Sequence, residues 1–167
     1  FFLGIIPFKN PTNWKKIISQ EREKYSNLRT KYINKNVEDF IELKRVNDST
    51  KYDSYKEILT KEEFDLLNLI KVDTDRTYQE NDIFLLDIVK KKLATVLYIY
   101  AKENPKYGYK QGMNDICGVF LYVLYKDYYL KNGFEKDEIT SLYSVIHSNN
   151  VYLEYDLYLA FSKFMNR

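Results

Sequence analysis

Two short polar motifs contain an arginine and a glutamine whose side chains could assist the hydrolysis of a nucleotide. Residues 70–77 contain Arg76, and residues 107–114 contain Gln111. Beyond the nucleotide and its metal, a GTPase site needs a planar cation for charge on the transferring phosphoryl oxygens and an amide that orients the attacking water. The pair of motifs therefore suggests a role in assisting GTP hydrolysis.

Each motif taken alone also has an ordinary structural explanation. Asp73, Arg76 and Thr77 could form a turn with a surface ion pair, which contributes only about 0 to 1 kcal/mol to stability. Gln111 and Gly112 could simply mark the start of a helix. The functional interpretation depends on the two motifs occurring together.

Other catalytic and metal-binding patterns are missing from the sequence. There is no glycine-rich loop of the kind that cradles phosphates, so we expect the chain to bind no nucleotide and no cofactor by itself. His147 is the one histidine and Cys117 the one cysteine, which excludes a histidine zinc helix, a cysteine zinc site and an internal disulfide. Asp73 and Asp75 are spaced like part of a calcium loop, but its glycine and bidentate glutamate are absent. We predict no metal site.

Length and charge are those of one globular domain. The chain has 167 residues with a formal net charge of +2, so no large field recruits nucleic acid or an anionic membrane. The longest apolar run, residues 116–125, is about half of the roughly 20 residues that cross a bilayer, which predicts no transmembrane segment. A lone cysteine fits a reducing, cytoplasmic compartment. The apolar start at Phe1 to Phe8 resembles a cut inside a helix, as in a piece of a longer protein.

Helical periodicity dominates the chain, and we predict an all-α fold without a β-sheet. A capping box of Thr60 and Glu63 predicts a short helix that leads into the arginine motif. A long helix is predicted from Asn81 or Asp82 to Glu103 or Asn104, because Pro105 follows. Further helices are expected at about 14–32, 114–131, 137–147 and 153–166. The polar, asparagine-rich stretch from about Asn34 to Tyr55 is predicted to be a flexible loop.

In both motifs the chain resembles the TBC domain, the Rab GTPase-activating module. That family is marked by Ile-x-x-Asp-x-x-Arg-Thr and, after one long helix, by Tyr-x-Gln-Gly. The matching residues are Ile70, Asp73, Arg76, Thr77, Tyr109, Gln111 and Gly112. The separation of 35 positions (111 minus 76), the Glu-Asn-Pro end of the intervening helix, and Met113 with Asn114 also look like the family.

The resemblance implies a GTPase-activating protein for a Rab-family small GTPase. Arg76 would act in trans as an arginine finger and Gln111 as a glutamine finger that places the water. Other residues of the motifs would have supporting roles. The resemblance implies that Asp73 braces the arginine loop and that Thr77 anchors its turn. It also implies that Gly112 allows the backbone to approach the partner closely and that Tyr109 is an aromatic residue of the interface or of the core packing. The protein would activate an enzyme, while GTP and Mg²⁺ would be carried by the Rab partner.

The resemblance also implies that residues 1–167 are the amino-terminal part of such a domain. The partners expected from it are a Rab GTPase and the missing carboxy-terminal half of the same domain, with no nucleic acid. The protein would be cytoplasmic and peripherally associated with endomembranes through its Rab. The alternative is a non-catalytic TBC-like scaffold that binds a Rab or a trafficking complex without accelerating hydrolysis.

Overall fold

The computed structural model describes residues 14–43, 49–131 and 151–166, most of which lie in α-helices. No β-strand occurs in these ranges, so the all-α prediction is confirmed. The helices are α1 Trp14–Tyr32, α2 Lys35–Glu42, α3 Ser49–Ile58, α4 Lys61–Arg76, α5 Asp82–Leu85, α6 Asp87–Glu103, α7 Met113–Lys131 and α8 Val151–Met165. None of the helices in the described ranges has the length and hydropathy to cross a membrane.

Helix α6 lies at the centre of the fold. All ten residues from Lys92 to Ala101 are buried, and α6 packs against α1, α2, α4, α5, α7 and α8. A helix that is buried on every side is surrounded by other elements, whereas a surface helix buries only one stripe. The arginine motif lies at the carboxyl end of α4 and the glutamine motif leads into α7. Both helices pack on α6, so α6 fixes the positions of the two motifs relative to each other.

The stretch predicted to be a loop from about Asn34 to Tyr55 is instead largely helical. Helix α2 begins after Asn34, whose side-chain Oδ1 accepts a hydrogen bond of 3.0 Å from the backbone N–H of Val37. Val37, Phe40 and Ile41 are buried, and α3 follows from residue 49. The prediction was wrong because α2 has only two turns, so its short apolar face is easily missed among polar residues. Residues 44–48 lie outside the described part of the chain.

The long helix predicted from Asn81 or Asp82 is divided in two. Asn81 caps α5 by accepting a hydrogen bond from the N–H of Ile83, and Leu86 then adopts an extended conformation with φ −71° and ψ 127°. Helix α6 begins after that residue and ends at Glu103, as predicted from Pro105. The apolar spacing continues through Leu86, so periodicity could not reveal the break.

The remaining predicted helices agree with the structure wherever it describes them. Helix α1 matches the first predicted helix, α7 begins one residue before the predicted start, and α8 begins two residues before it. The capping box of Thr60 and Glu63 is present at the start of α4. The helix predicted at 137–147 and the helix end predicted at Asn132 and Gly133 lie outside the described residues.

A buried polar cluster joins α8 to α1 and α6. The Glu154 carboxylate accepts hydrogen bonds from the Tyr25 hydroxyl at 2.9 Å and from Arg29 Nε at 3.1 Å. Lys92 Nζ lies 3.9 Å from the same carboxylate, and burial lowers the pKa of this lysine. Because buried charges are stable only with such partners, the cluster fixes how α8 packs on the central helix.

Candidate functional site

Helix α4 carries the arginine motif to its own carboxyl end. Arg76 is the last residue of the helix, and its Nη2 donates a hydrogen bond of 2.8 Å to Asp73 Oδ1 one turn earlier. The Arg76 side chain is 61% exposed, whereas that of Asp73 is 3% exposed. A surface guanidinium is thus held by a carboxylate that lies in the interior.

Thr77 ends helix α4 and turns the chain. Its Oγ1 donates a hydrogen bond of 2.9 Å to the carbonyl oxygen of Asp73, and its backbone is extended. Thr77 is buried, so the hydroxyl needs this partner. The role as the anchor of the turn, which the family resemblance implied, matches this geometry.

Tyr78 follows in a left-handed conformation with φ +44°, which is uncommon for a residue other than glycine. Its ring lies over Gly118 of α7, where an added Cβ would come within 2.9 Å of Tyr78 Cε2. The Tyr78 hydroxyl donates a hydrogen bond of 3.1 Å to the carbonyl oxygen of Asp115. The arginine turn is therefore packed closely against α7.

The glutamine motif connects α6 to α7 through two glycines in the left-handed region. Gly108 has φ +60° and Gly112 has φ +95°, and a Cβ at either position would meet nothing within 4 Å. The glycine requirement in this structure is therefore conformational, because L-residues rarely adopt such backbone angles. Gly112 directly precedes α7 and lets the chain enter that helix.

Tyr109 links the two motifs. It is buried, and its hydroxyl donates a hydrogen bond of 2.9 Å to Asp73 Oδ2, while Arg76 occupies the other oxygen of the same carboxylate. Burial, and then the bond to Asp73, raise the pKa of Tyr109 far above its usual range, so the phenol stays protonated and donates. In the structure Tyr109 is thus a buried residue that connects the two motifs.

Asn114, in the first turn of α7, makes a second link. Its Oδ1 accepts a hydrogen bond of 3.0 Å from the N–H of Gly112, and its Nδ2 donates one of 3.0 Å to Thr77 Oγ1. Nδ2 also donates to Asp115 Oδ1 at 2.9 Å. Sequence reasoning included Asn114 only as part of the family likeness, because an asparagine near a helix start has no local feature that reveals a distant partner.

Gln111 lies between these linked residues and points to solvent. Its neighbours Tyr109 and Gly112 are both bonded to residues of the linked cluster, but the Gln111 side chain makes no hydrogen bond to the described part of the chain. The structure therefore brings Asp73, Arg76, Thr77, Tyr109 and Gly112 into one connected cluster and leaves the Gln111 amide exposed beside it. An exposed amide without an internal partner is free to bind a group on another molecule.

A cleft of about 360 Å³ lies next to the arginine turn. Tyr78 forms one wall, and its ring centroid is 5.2 Å from that of Phe84 in an edge-to-face arrangement. The cleft is lined by Tyr78, Glu80, Asn81, Phe84, Val119 and Tyr122. It was not predicted, since its walls come from two stretches that are distant in sequence, residues 78–84 and residues 119–122.

Metal-ligating side chains are not grouped in the described ranges: nowhere in them do three or more His, Cys, Asp or Glu residues lie together as ligands for an ion. Cys117 is buried in the core, and burial raises the pKa of its thiol. A buried thiol of this kind is inert and acts as a packing group. His147 lies outside the described residues.

Comparison with known proteins identifies the family. A model of the Rab-GTPase-TBC domain matches residues 9–166. The chain is 26% identical over 166 residues to TBC1 domain family member 5 homolog B of Dictyostelium discoideum, covering 98% of this chain and 16% of that protein. It is 34% identical over 103 residues to TBC1 domain family member 5 of Homo sapiens, covering 60% and 13%.

A third relative is growth hormone-regulated TBC protein 6 of Caenorhabditis elegans, 33% identical over 60 residues, covering 36% of this chain and 18% of that protein. No solved structure matches the chain. The chain spans less than a fifth of the length of each of these relatives. The family match includes both motifs and nearly the whole chain, and the chain belongs to the Rab-GTPase-TBC domain family.

Proposed function

We propose that this chain supplies an arginine finger and a glutamine finger to a Rab-family GTPase and so accelerates GTP hydrolysis. Membership of the family supports GTPase activation of this type. The observation that carries the proposal is the linked pair of motifs: Arg76 and Gln111 are both exposed, and the residues beside them are joined by buried hydrogen bonds. A non-catalytic scaffold would not require the residues beside these two exposed side chains to be linked in this way.

In the proposed mechanism Arg76 enters the active site of the GTPase and exchanges Asp73 for phosphoryl oxygens. Its planar guanidinium can bond two oxygens while their charge redistributes. Such fingers contribute on the order of 10³ to 10⁵ in kcat in GTPases. The rest of the α4 end stays in place, because Thr77 and Tyr109 bond to Asp73 and not to Arg76.

Gln111 places the attacking water in this proposal. Its amide oxygen can accept a hydrogen bond from the water and its amide nitrogen can donate one to an oxygen of the GTPase. Because Gln111 makes no hydrogen bond to the described part of its own chain, reaching the water breaks no hydrogen bond within that part. The GTP and Mg²⁺ would be carried by the Rab, and the Rab would also bring the protein to endomembranes.

A second partner is proposed for the apolar face of α7. Val119 and Val123 lie one turn apart and are 52% and 57% exposed. Exposed apolar side chains spaced in this way favour packing against another element. We expect the carboxy-terminal half of a TBC domain to cover them. Full GTPase activation by a monomeric preparation of residues 1–167 would contradict this assignment.

The proposal is tested by comparing affinity for three nucleotide states of a Rab. An activator that supplies two fingers is complementary to the transition state, so it should bind Rab with GDP and aluminium fluoride more tightly than Rab with GTP or GDP. The measurement is calorimetric titration of the natural protein against a Rab panel in each state. Arg76→Ala should remove the preference for the fluoride state.

The scaffold alternative predicts another pattern. A scaffold has no reason to prefer the planar phosphate mimic, and losing Arg76 should then leave all three affinities unchanged. Equal binding to the GTP and mimic states, together with no effect of Arg76→Ala, would favour the scaffold. Single-turnover hydrolysis with the same Rab proteins distinguishes binding from activation.

A further inference from the structure

We infer that Asn114 is a positioning residue that couples the arginine turn to the glutamine loop and thereby fixes the two finger side chains relative to each other. This inference deepens the proposed function and rests on it for its catalytic consequence. The coupling itself is a property of the chain and can be measured without a GTPase.

The Asn114 side chain bonds to both motifs at once. Its Oδ1 accepts from the N–H of Gly112, the residue after Gln111, and its Nδ2 donates to Thr77 Oγ1, the residue after Arg76. Both bonds are 3.0 Å long, and Asn114 is only 6% exposed. Arg76 and Gln111 therefore each directly precede a residue that is hydrogen-bonded to the Asn114 side chain.

The bonds also form a chain that ends within helix α4. Thr77 Oγ1 accepts from Asn114 and donates to the carbonyl oxygen of Asp73, so the hydroxyl uses its proton and one lone pair. Displacement of Asn114 would leave that lone pair and the Gly112 N–H without their partners. Hydrogen bonds linked in this way strengthen one another in a buried environment.

An amide is the side chain that this position needs. It must accept from a backbone N–H and donate to a hydroxyl, and both groups face it from different segments. A carboxylate would accept but not donate, and an alkyl side chain would do neither. The other link, from Tyr109 to Asp73, fixes the start of the glutamine motif to α4 but does not reach Gly112 or Thr77.

The first arm of the test measures amide hydrogen exchange by NMR in the natural protein. Asn114→Ala should accelerate exchange of the Gly112 amide, which loses its acceptor, by about five- to tenfold relative to wild type. The Thr77 amide, which bonds to the carbonyl oxygen of Thr74, should also exchange faster because the arginine turn loses the bond from Asn114 to the Thr77 hydroxyl. The matched control is Asn34→Ala, which removes an amide that also accepts a backbone N–H at 3.0 Å but lies at the start of α2. Asn34→Ala should leave exchange at Gly112 and Thr77 unchanged. Equal exchange in wild type and Asn114→Ala would overturn the inference.

The second arm measures stimulated GTP hydrolysis with Asn114→Ala, Gln111→Ala and the double variant, each at saturating activator. If Asn114 acts by placing Gln111, kcat falls in both single variants and the double variant is little worse than Gln111→Ala. If Asn114→Ala acts only by reducing the amount of folded protein, the two reductions in kcat should multiply in the double variant. That result would overturn the positioning role. If the wild-type protein fails to stimulate hydrolysis, the proposed function is wrong, and the exchange arm alone decides whether Asn114 couples the motifs.

Discussion

The hydroxyl of Tyr109 donates a hydrogen bond of 2.9 Å to the buried carboxylate of Asp73, across a separation of 36 residues. The other oxygen of that carboxylate holds Arg76. A single interior charge therefore binds one residue from each motif. Arg76 and Tyr109 are thus connected through the two oxygens of Asp73.

Tyr109→Phe should destabilise the fold and weaken the hold on Arg76. The substitution leaves Asp73 Oδ2 without its donor in a buried site, which should cost about 1 to 3 kcal/mol in the free energy of unfolding. Urea unfolding measures this cost. Tyr107→Phe is the matched control, because Tyr107 lies in the same motif and is 55% exposed. Equal free energies of unfolding for the two variants would show that the bond to Asp73 contributes nothing.

Arg76→Ala and Arg76→Lys should both reduce stimulated GTP hydrolysis by about 10³- to 10⁵-fold, because lysine keeps the charge but loses the planar fork. Arg76→Ala should also lower the free energy of unfolding by about 1 to 3 kcal/mol, because it removes a donor from the buried Asp73 carboxylate, a cost far too small to account for the loss of activity. Single-turnover kinetics and thermal melting are the measurements. Arg22→Lys, at a salt bridge between α1 and α8, makes the same chemical change elsewhere and should retain activity. Retained activity in Arg76→Lys would contradict the finger assignment.

Gln111→Ala should reduce kcat by on the order of 10²-fold, the effect of displacing a reacting group by about 1 Å. The exposed side chain has no bond to the described part of the chain, so stability should not change. The assay uses a Rab whose own glutamine is intact, with Gln20→Ala on the exposed face of α1 as control. A normal rate for Gln111→Ala would show that the glutamine of the GTPase, and not Gln111, places the water.

Gly118→Ala should separate activity from stability. Alanine favours a helix over glycine by up to about 1 kcal/mol, but its Cβ would press on the Tyr78 ring and on Thr77. The arginine turn must then shift away from α7, and we expect kcat to fall on the order of 10- to 100-fold while the melting temperature changes little. The crystal structure of the variant would locate Arg76. An unchanged rate would mean that the turn does not depend on this contact.

Stability should decrease at alkaline pH because buried tyrosines resist ionisation. Burial is the main cause of the raised pKa values of Tyr25, Tyr98, Tyr109 and Tyr158. In the unfolded chain these phenols ionise above pH about 10, whereas in the folded chain they stay protonated. Their contribution is therefore complete below pH 10 and is lost as pH rises, by about 1.4 kcal/mol per pH unit for each tyrosine.

Urea unfolding at pH 8, 10 and 11 measures this loss. Tyr158→Phe removes one of the buried phenols, and we expect its stability to fall less steeply with pH than that of wild type. A stability that stays flat up to pH 11 would contradict the burial of these groups. Parallel slopes for Tyr158→Phe and wild type would contradict the contribution of Tyr158.

Local signals in the sequence predicted the parts of the fold that depend on neighbouring residues. The capping box at Thr60 and Glu63 and the helix end before Pro105 involve groups within a few positions of each other, and both are present. Helix α2 was missed because its stability comes from burying Val37, Phe40 and Ile41 against other helices. Tertiary packing of this kind outweighs a weak local pattern.

The site was predictable in its residues but not in its connections. The two motifs were recognised by residue type and spacing, which need no structure. The bond from Asn114 to Thr77 joins residues 37 positions apart, and nothing near Asn114 in the sequence indicates it. The contact between the Tyr78 ring and Gly118 could not be predicted from the sequence for the same reason. Only the packing of α7 beside the arginine turn brings these two residues together.

The complete burial of residues 92–101 of α6 restricts how the length of this chain can vary. One residue inserted within that helix would rotate everything after it by about 100° and advance it by about 1.5 Å, since an α-helix has about 3.6 residues per turn. The glutamine loop would then point away from the arginine turn, and the buried side chains of α6 would face the wrong neighbours. Insertions and deletions compatible with the proposed activity are therefore expected outside residues 77–112, for example between α2 and α3.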